Sequence, residues 1–200
     1  MKTCEYDGQP FTEPRTHPWI GASASPASRY YDFKTEPARI RTALEDFLPW
    51  SHEPAVTVLY ELLERLNGMS SHLESNDCAF NGPRESEAPQ LGKLQCDGRV
   101  MVLFRELELN LSKRRIEDLK NALHWRLAAL DLTFELGMIG TTIPQVVYVE
   151  LPGTREEQLG HQLMISFWAW GYAESEVMRN LKRVLDNLSQ ALGSLATARC

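Results

Sequence analysis

The chain has 200 residues, of which 43% are hydrophobic and 24% are charged. A chain of this length buries roughly 70% of the surface that its unfolded form exposes, so we expect a folded domain with a genuine core. This composition excludes collagen-like, coiled-coil and wholly disordered proteins. No apolar run reaches the ~18–20 residues of a bilayer-spanning helix, and the first ten residues lack the apolar centre of a secretory signal. We therefore expect a soluble, cytoplasmic protein without a membrane partner.

The net charge of −6 results from 27 acidic and 21 basic residues. Proteins that bind nucleic acid through its phosphates usually carry a surplus of Lys and Arg, so we do not expect a nucleic-acid partner. The four cysteines form no C-x-x-C motif, which argues against a zinc knuckle or a thioredoxin-like site. Without an export signal, free thiols are expected. These cysteines are Cys4, Cys78, Cys96 and Cys200.

Residues 1–34 contain four prolines and show no periodicity, which is typical of an extended N-terminal arm. Its aromatic residues indicate that part of the arm packs on the surface of the domain. These residues are Trp19, Tyr30, Tyr31 and Phe33. We assign residues 35–200 to a single α+β domain.

Two short helices are predicted after the arm. The first begins around Pro37 and ends at Pro49, and the second begins around Pro54 and ends at the Asn67-Gly68 pair. Both have apolar residues at helical spacing. A strand is predicted over residues 69–76. The following residues 77–98 are interrupted by glycines and prolines, and predict a long loop.

Three further strands are predicted from alternating apolar residues or short apolar runs. They cover residues 99–111, 145–151 and 161–170. The last two are joined by a short polar connection and predict an antiparallel hairpin. Two long amphipathic helices are predicted over about 113–135 and 174–195, the first of them ending before Gly137 and Gly140.

These elements predict an α+β fold. We expect a sheet of about four mostly antiparallel strands, with the two long C-terminal helices on one face. The opposite face also carries apolar residues, including Trp168 and Trp170, and therefore needs a cover. Either the two shorter N-terminal helices lie near that face or another molecule covers it.

No catalytic motif of the common hydrolases, kinases or dehydrogenases is present. The best local cluster contains His72, Glu74, Asp77 and Cys78. On a strand, His72 and Glu74 point the same way, where they could bind a divalent metal or act as an acid–base pair. Asp77 and Cys78 would lie where the strand meets the loop. A solvated strand edge explains the same residues, and a metal site there lacks a third ligand unless His161 or a carboxylate of the loop provides it.

Four more residues are candidates for binding a ligand or a partner. Arg105 lies in an apolar row, so it needs either an internal partner such as Glu74 or a carboxylate or phosphate ligand. His161 begins a strand, where it either binds a ligand or partner or is an ordinary histidine at the edge of the core. Trp168 and Trp170 are either core residues or an aromatic wall for a ligand or partner.

The residues from Tyr148 to Glu150 and from Trp170 to Leu181 resemble the strand–helix junction of HicB-type antitoxin domains. The similar features are the glycine after the strand and the acidic residues that open the helix. Acidic residues suit the first turn of any helix, so no functional residue is transferred from that family. The DNA-binding appendage usual in that family is not visible in this sequence.

Two functions remain open. The first is a non-catalytic accessory or interaction protein that binds another protein, or a second copy of itself, through an acidic and aromatic surface. The alternative is a small-molecule-binding protein or enzyme with a polar pocket formed by residues 72–78, Arg105 and the sheet. The sequence indicates no cofactor and no reaction type.

Overall fold

The computed structural model describes residues 1–6, 11, 14–18, 31–149, 151 and 156–197. Within these residues the protein is α+β, with a five-stranded mixed sheet, a three-stranded sheet and three α-helices. The strands are β1 (Lys2–Glu5), β2 (Arg15–His17), β3 (Leu73–Glu85), β4 (Leu94–Phe104), β5 (Gly137–Thr142), β6 (Gln145–Tyr148), β7 (Gln158–His161) and β8 (Leu163–Gly171). The helices are α1 (Pro54–Asn67), α2 (Lys113–Ala128) and α3 (Glu174–Ala196).

The main sheet has the strand order β1-β5-β8-β4-β3, in which β1 and β5 are parallel and the other neighbours are antiparallel. Its two long inner strands, β4 and β8, pair with Val100 opposite Ile165. Because side chains alternate along a strand, these two residues and every second residue from them along each strand project toward the same face. Both residues are completely buried.

The three helices pack on that face. Helix α3 lies against β8 and contacts both α1 and α2. Most of its apolar residues recur at helical spacing and are buried, which is why this segment forms a long amphipathic helix. The apolar side chains of all three helices form one core with those of the sheet.

The three-stranded sheet, with the order β2-β6-β7, covers part of the opposite face. A second apolar cluster lies between the two sheets, where Leu103 of the main sheet meets Val146, Tyr148 and Leu151. Only part of the main sheet is covered in this way. The part beside Asp97 and Trp168 borders an open cleft.

The prediction for the N-terminal helices is only partly correct. The first predicted helix is replaced by two short 3₁₀ turns, Pro37–Arg41 and Leu48–Trp50, in which Ile40 is buried. A helix of this length is marginal on its own, so packing decides its form. Helix α1 is confirmed, but its position near the opposite face is wrong. It lies beside α3 because its apolar stripe belongs to the helix-side core.

The predicted loop over residues 77–98 is wrong, because much of this segment lies in the β3–β4 hairpin. Gly98 is required by close packing, since a Cβ there would lie 2.6 Å from the carbonyl oxygen of Ala79. Pro83 lies at an irregularity in the register between Asn81 and Arg84. Glycine and proline are tolerated in strands at such positions. The strand predicted over 69–76 begins later than expected, at Leu73. The strand predicted over 99–111 ends earlier than expected, at Phe104.

Two predictions in the C-terminal half also need correction. The helix predicted to reach about residue 135 ends at Ala128, and the glycines taken as its end lie in strand β5. Strand β6 forms its hairpin with β7, whereas β8 belongs to the main sheet. The last helix is confirmed.

The N-terminal arm contributes a strand to each sheet, through β1 and β2. Phe33 is buried and Tyr31 is half-buried, whereas Trp19 and Tyr30 lie outside the described residues. None of the described helices combines the length and the apolar character needed to cross a membrane.

The position of α1 can be tested by truncating Leu63, which is completely buried in that helix. We expect Leu63→Ala to lower the free energy of unfolding by about 2–5 kcal/mol, as in other buried leucine truncations. The matched control is Leu132→Ala, whose side chain is 77% exposed and which should change it by less than about 0.5 kcal/mol. Urea denaturation measures both, and equal effects of the two substitutions would contradict the buried position of α1.

Candidate functional site

The open part of the helix-free sheet face contains a cleft of about 190 Å³. Two rows of cross-strand neighbours form its floor, because residues that face each other across paired strands project to the same side. One row is Asn81, Asp97 and Trp168, and the other is Ala79, Arg99 and Ser166. Gly98, Met164 and Phe11 of the arm complete the lining.

The Asp97 carboxylate is buried and fully engaged by neighbouring donors. Its Oδ1 accepts a hydrogen bond from Asn81 at 2.7 Å, and its Oδ2 accepts bonds from Arg84 at 2.6 Å and from Gln95 at 3.2 Å. Arg84 also pairs with exposed Glu87 at 2.8 Å. The charge of Asp97 is therefore neutralised inside the protein.

Arg99 has fewer partners. Its NH2 lies 3.3 Å from Oδ2 of Asp77, and its Nε is buried without a hydrogen-bond acceptor among the described residues. The Phe11 ring lies near two guanidinium groups, with its centroid 4.3 Å from Cζ of Arg15 and 5.7 Å from Cζ of Arg99. Cation–π attraction therefore helps to hold Phe11 at the cleft.

Trp168, in the first of these rows, is half-buried and gives the cleft an aromatic surface. Its ring lies over Gly140, where a Cβ would approach it to 2.9 Å. Next to it, the hydroxyl oxygens of Ser166 and Tyr6 lie 2.9 Å apart. Burial raises the pKa of Tyr6, so this hydroxyl stays neutral at physiological pH.

A second polar group, the buried network, lies between the two sheets beside the cleft. Nε2 of His17 lies 3.3 Å from Oε1 of Glu74, and Lys34 donates to Oε2 of Glu74 at 2.6 Å. Nδ1 of His17 lies 2.8 Å from Oδ1 of Asn76, whose amide donates to Gln162 at 3.0 Å. Burial alone would raise the pKa of Glu74, but the hydrogen bonds from His17 and Lys34 outweigh it and lower that pKa.

A β-bulge separates the cleft from the buried network. Asn76 and Asp77 both lie in the irregular stretch between the pairs Ser75–Val102 and Cys78–Val100. A bulge inserts an extra residue and re-aims the side chains around it. As a result, neighbouring residues of one strand serve two sites, with Asn76 in the network and Asp77 at the cleft.

The structure does not bring the four residues of the predicted cluster together. Glu74 belongs to the buried network and Asp77 to the rim of the cleft. His72 is exposed before β3 begins, away from the expected pair with Glu74. Cys78 packs against the helix-side core, and burial raises the pKa of its thiol, so it is not an activated nucleophile.

The other candidates are also dispersed. Arg105 donates to the carbonyl of Gly68 at 2.9 Å, so its observed partner is a backbone oxygen rather than Glu74. His161 lies on β7, outside the cleft lining, and burial lowers its pKa together with the nearby Lys113.

Only one of the two tryptophans lines the cleft. Trp168 does, whereas Trp170 is 5% exposed and lies beyond the lining. Asp97 was missed because it falls in the segment predicted as loop, whereas Arg99 and Ser166 fall in predicted strands but carry no signal that separates them from other strand residues. The alternating polar positions Gln95, Asp97 and Arg99 were the signal that could have revealed a strand with a polar face.

No group of three or more His, Cys, Asp or Glu side chains suited to a metal ion occurs in the part of the chain that the structure describes. No protein-family model, curated protein or solved structure matches this chain. The likeness to HicB-type antitoxin domains therefore rests on the quoted junction alone. In the structure, Tyr148 and Trp170 of that junction belong to different sheets.

The buried network can be tested with Glu74→Gln, which removes the carboxylate opposite Lys34 and His17. Breaking a buried pair on one side is costly, and Lys34 is 30% exposed, so we expect a loss of about 3 kcal/mol at pH 7, the low end of the usual range. The matched control is Glu64→Gln, which breaks the exposed pair with Arg41 and should cost less than about 1 kcal/mol.

The buried network also predicts that the free energy of unfolding depends on pH. Because the pKa of Glu74 in the folded protein is below its ordinary value of 4.5, its contribution is present above that pH and disappears as the pH falls through the folded pKa. Other carboxylates with a lowered pKa, such as Asp131, also lose their contribution in acid, so the acid-induced loss in denaturation curves should be smaller in Glu74→Gln than in the wild type and Glu64→Gln. If Glu74→Gln retains the acid-induced loss unchanged, the network does not hold an ionised carboxylate.

Proposed function

We propose that this chain is a non-catalytic accessory protein that binds another protein through the cleft and its rim. The observation that carries the proposal is the cleft itself, an aromatic and ionic recess on a sheet face that the three-stranded sheet only partly covers. A partly covered sheet face with aromatic side chains is typical of an interaction surface.

The state of the polar groups supports binding rather than catalysis. Asp97 accepts hydrogen bonds from three donors, of which Arg84 neutralises its charge, and Tyr6 is paired with Ser166 and kept neutral. A general base or nucleophile needs an accessible group with a suitably shifted pKa. Asp97 is the carboxylate among the described residues that line the cleft, and its oxygens already accept hydrogen bonds from the protein.

The residue types support a protein partner. Tryptophan and arginine are enriched among the residues that dominate binding energy at protein interfaces, and the cleft contains both, as Trp168 and Arg99. Its charged groups occur as ion pairs, between Arg84 and Asp97 and between Arg99 and Asp77. The proposal therefore rests on an aromatic surface with paired charges, in place of the acidic surface expected from the net charge.

We place this function in a reducing compartment such as the cytoplasm. The cysteines Cys4, Cys78 and Cys96 are free thiols, as is usual for proteins of that compartment.

A small-molecule ligand is the second candidate, and the size of the cleft limits it to a compact molecule. Its volume of about 190 Å³ is below the ~300–1,000 Å³ of pockets that hold drug-sized ligands or cofactors. The cleft is therefore suited to a small molecule or to a single side chain or chain end of a partner protein.

The proposal is tested with Trp168→Ala and its matched control Trp125→Ala. Trp125 is 75% exposed on α2, on the helix side of the sheet. Tagged wild-type protein and both variants are used to capture partners from the native host, and the captured proteins are identified by mass spectrometry. We expect one partner to be retained by the wild type and Trp125→Ala, and lost with Trp168→Ala, because the aromatic wall supplies much of the contact area.

Circular dichroism and light scattering accompany the capture, to show that each variant is folded and to detect a dimer. A dimer that Trp168→Ala dissociates identifies a second copy of the chain as the protein bound at the cleft. A partner that folded Trp168→Ala retains, and Trp125→Ala loses, would move the interaction surface to the helix side.

A further inference from the structure

The guanidinium of Arg99 is the one incompletely satisfied charged group among the described residues that line the cleft. It carries five N–H donors, and the protein acceptor that the structure places near it is Asp77, at 3.3 Å. Its side chain is 31% exposed and its Nε has no acceptor. Because Nε is buried, a ligand in the cleft would reach the terminal nitrogens of the guanidinium, where the side chain is exposed.

Asp97, the other charged residue of the floor, does not offer a free carboxylate to a cationic ligand. Asp97 already receives hydrogen bonds from Asn81, Gln95 and Arg84. A cationic ligand would have to displace Arg84 before it could pair with Asp97. An anion, by contrast, meets donors on Arg99 that have no protein acceptor among the described residues.

A further hydroxyl donor lies beside Arg99 on the neighbouring strand. Ser166 is directly opposite Arg99, and its Oγ lies 2.9 Å from Oη of Tyr6. Two hydroxyl groups that share one hydrogen bond leave one O–H free to donate elsewhere. A guanidinium and a hydroxyl side by side suit the two oxygens of a carboxylate.

The remaining walls are apolar or aromatic. They are provided by Phe11, Met164 and Trp168. A ligand that places its charge on Arg99 therefore places its body against an indole ring and a phenyl ring, which favours an aromatic or bulky apolar group.

From this geometry we infer that the cleft binds a carboxylate attached to an aromatic or apolar group, an inference that rests on the proposed binding function. This chemistry belongs both to a small aromatic acid and to the C-terminal end of a protein that finishes in an aromatic residue. The volume of about 190 Å³ accommodates one such group.

The first experiment compares matched charged and neutral probes. Phenylacetate and phenylacetamide are titrated into ¹⁵N-labelled full-length protein, and the Nε–H resonance of Arg99 and the indole resonance of Trp168 are followed by NMR. N-acetyl-Ala-Phe with a free carboxylate, and the same peptide with a C-terminal amide, test the peptide source. We expect each acid to bind at least ~10-fold more tightly than its amide, as for loss of a charge-assisted hydrogen bond.

Two substitutions should shift the affinity of phenylacetate in opposite directions. Arg99→Gln removes the positive charge and should weaken binding at least ~10-fold. Asp77→Asn removes the carboxylate that competes for Arg99, and should strengthen binding several-fold. Arg114→Gln, on the exposed first turn of α2, is the matched control and should leave the affinity unchanged. Because Asp77→Asn keeps Arg99, a failure of Arg99→Gln to fold does not remove the test.

The results separate this inference from the proposed function. Tighter binding of free acids whose resonance shifts map to Arg99 and Trp168 supports the inference, and the preferred acid identifies the source. Equal binding of acids and amides, or no shift at Arg99 at millimolar probe, overturns it. If Trp168→Ala loses the captured partner while Arg99→Gln keeps it, the binding function stands and the C-terminal source of the carboxylate fails, and the comparison of phenylacetate with phenylacetamide decides the small-acid source. If Trp168→Ala keeps the partner, the proposed function itself fails.

Discussion

The central strands β4 and β8 have side chains on both faces that must be shielded from water, and the rest of the structure follows from this constraint. The helices shield one face completely, with Val100, Ile165 and Phe167 fully buried beneath them. The three-stranded sheet shields the other face only in part, around Leu103. Where that cover ends, the residues change from leucine and methionine to Asp97, Arg99 and Ser166, and the cleft begins.

The attachment of the three-stranded sheet combines a small apolar cluster with buried charge. His17 of β2 contacts Glu74 and Asn76 of β3, and its ring meets that of Tyr148 edge-on, with the centroids 5.7 Å apart. Buried ion pairs add less to stability than their strength in vacuum suggests, but they tolerate few alternative arrangements. The same stretch of the arm contains Phe11 and Arg15 at the cleft. Position and shape of the cleft are therefore linked to the buried network.

The parts of the fold that could be predicted have a local and periodic signal. Helices α1 and α3 follow from leucines at helical spacing, and much of β8 follows from an apolar run. The signal is absent where pairing is decided by distant residues. Strand β5 contains two glycines that fit against Phe134 and Trp168, so its sequence looks like a helix end. The arm shows no period because β1 and β2 pair with strands far away in the sequence.

The candidate site was predictable to a lesser degree, for related reasons. Trp168 and Asp77 were named and do border the cleft, but the spacing of residues 72–78 assumed a regular strand. The bulge at Asn76 and Asp77 breaks that regularity. Arg105 has no evident partner in the sequence, because its actual partner is a backbone carbonyl, which cannot be recognised from residue types. Arg99 was placed in a strand, yet its importance depends on Asp97 and Phe11, whose positions only the tertiary structure provides.

The pairing of the arm also has a consequence for synthesis on the ribosome. Residues 2–5 pair with 138–141, and residues 15–17 pair with 146–148. Translation proceeds from the N-terminus, so both arm segments leave the exit tunnel long before their pairing partners exist. Until then the nascent chain carries unpaired strand edges, which are the sites at which chains associate incorrectly. Completion of both sheets is therefore a late event in the folding of each new molecule, because these pairings join residues far apart in the sequence.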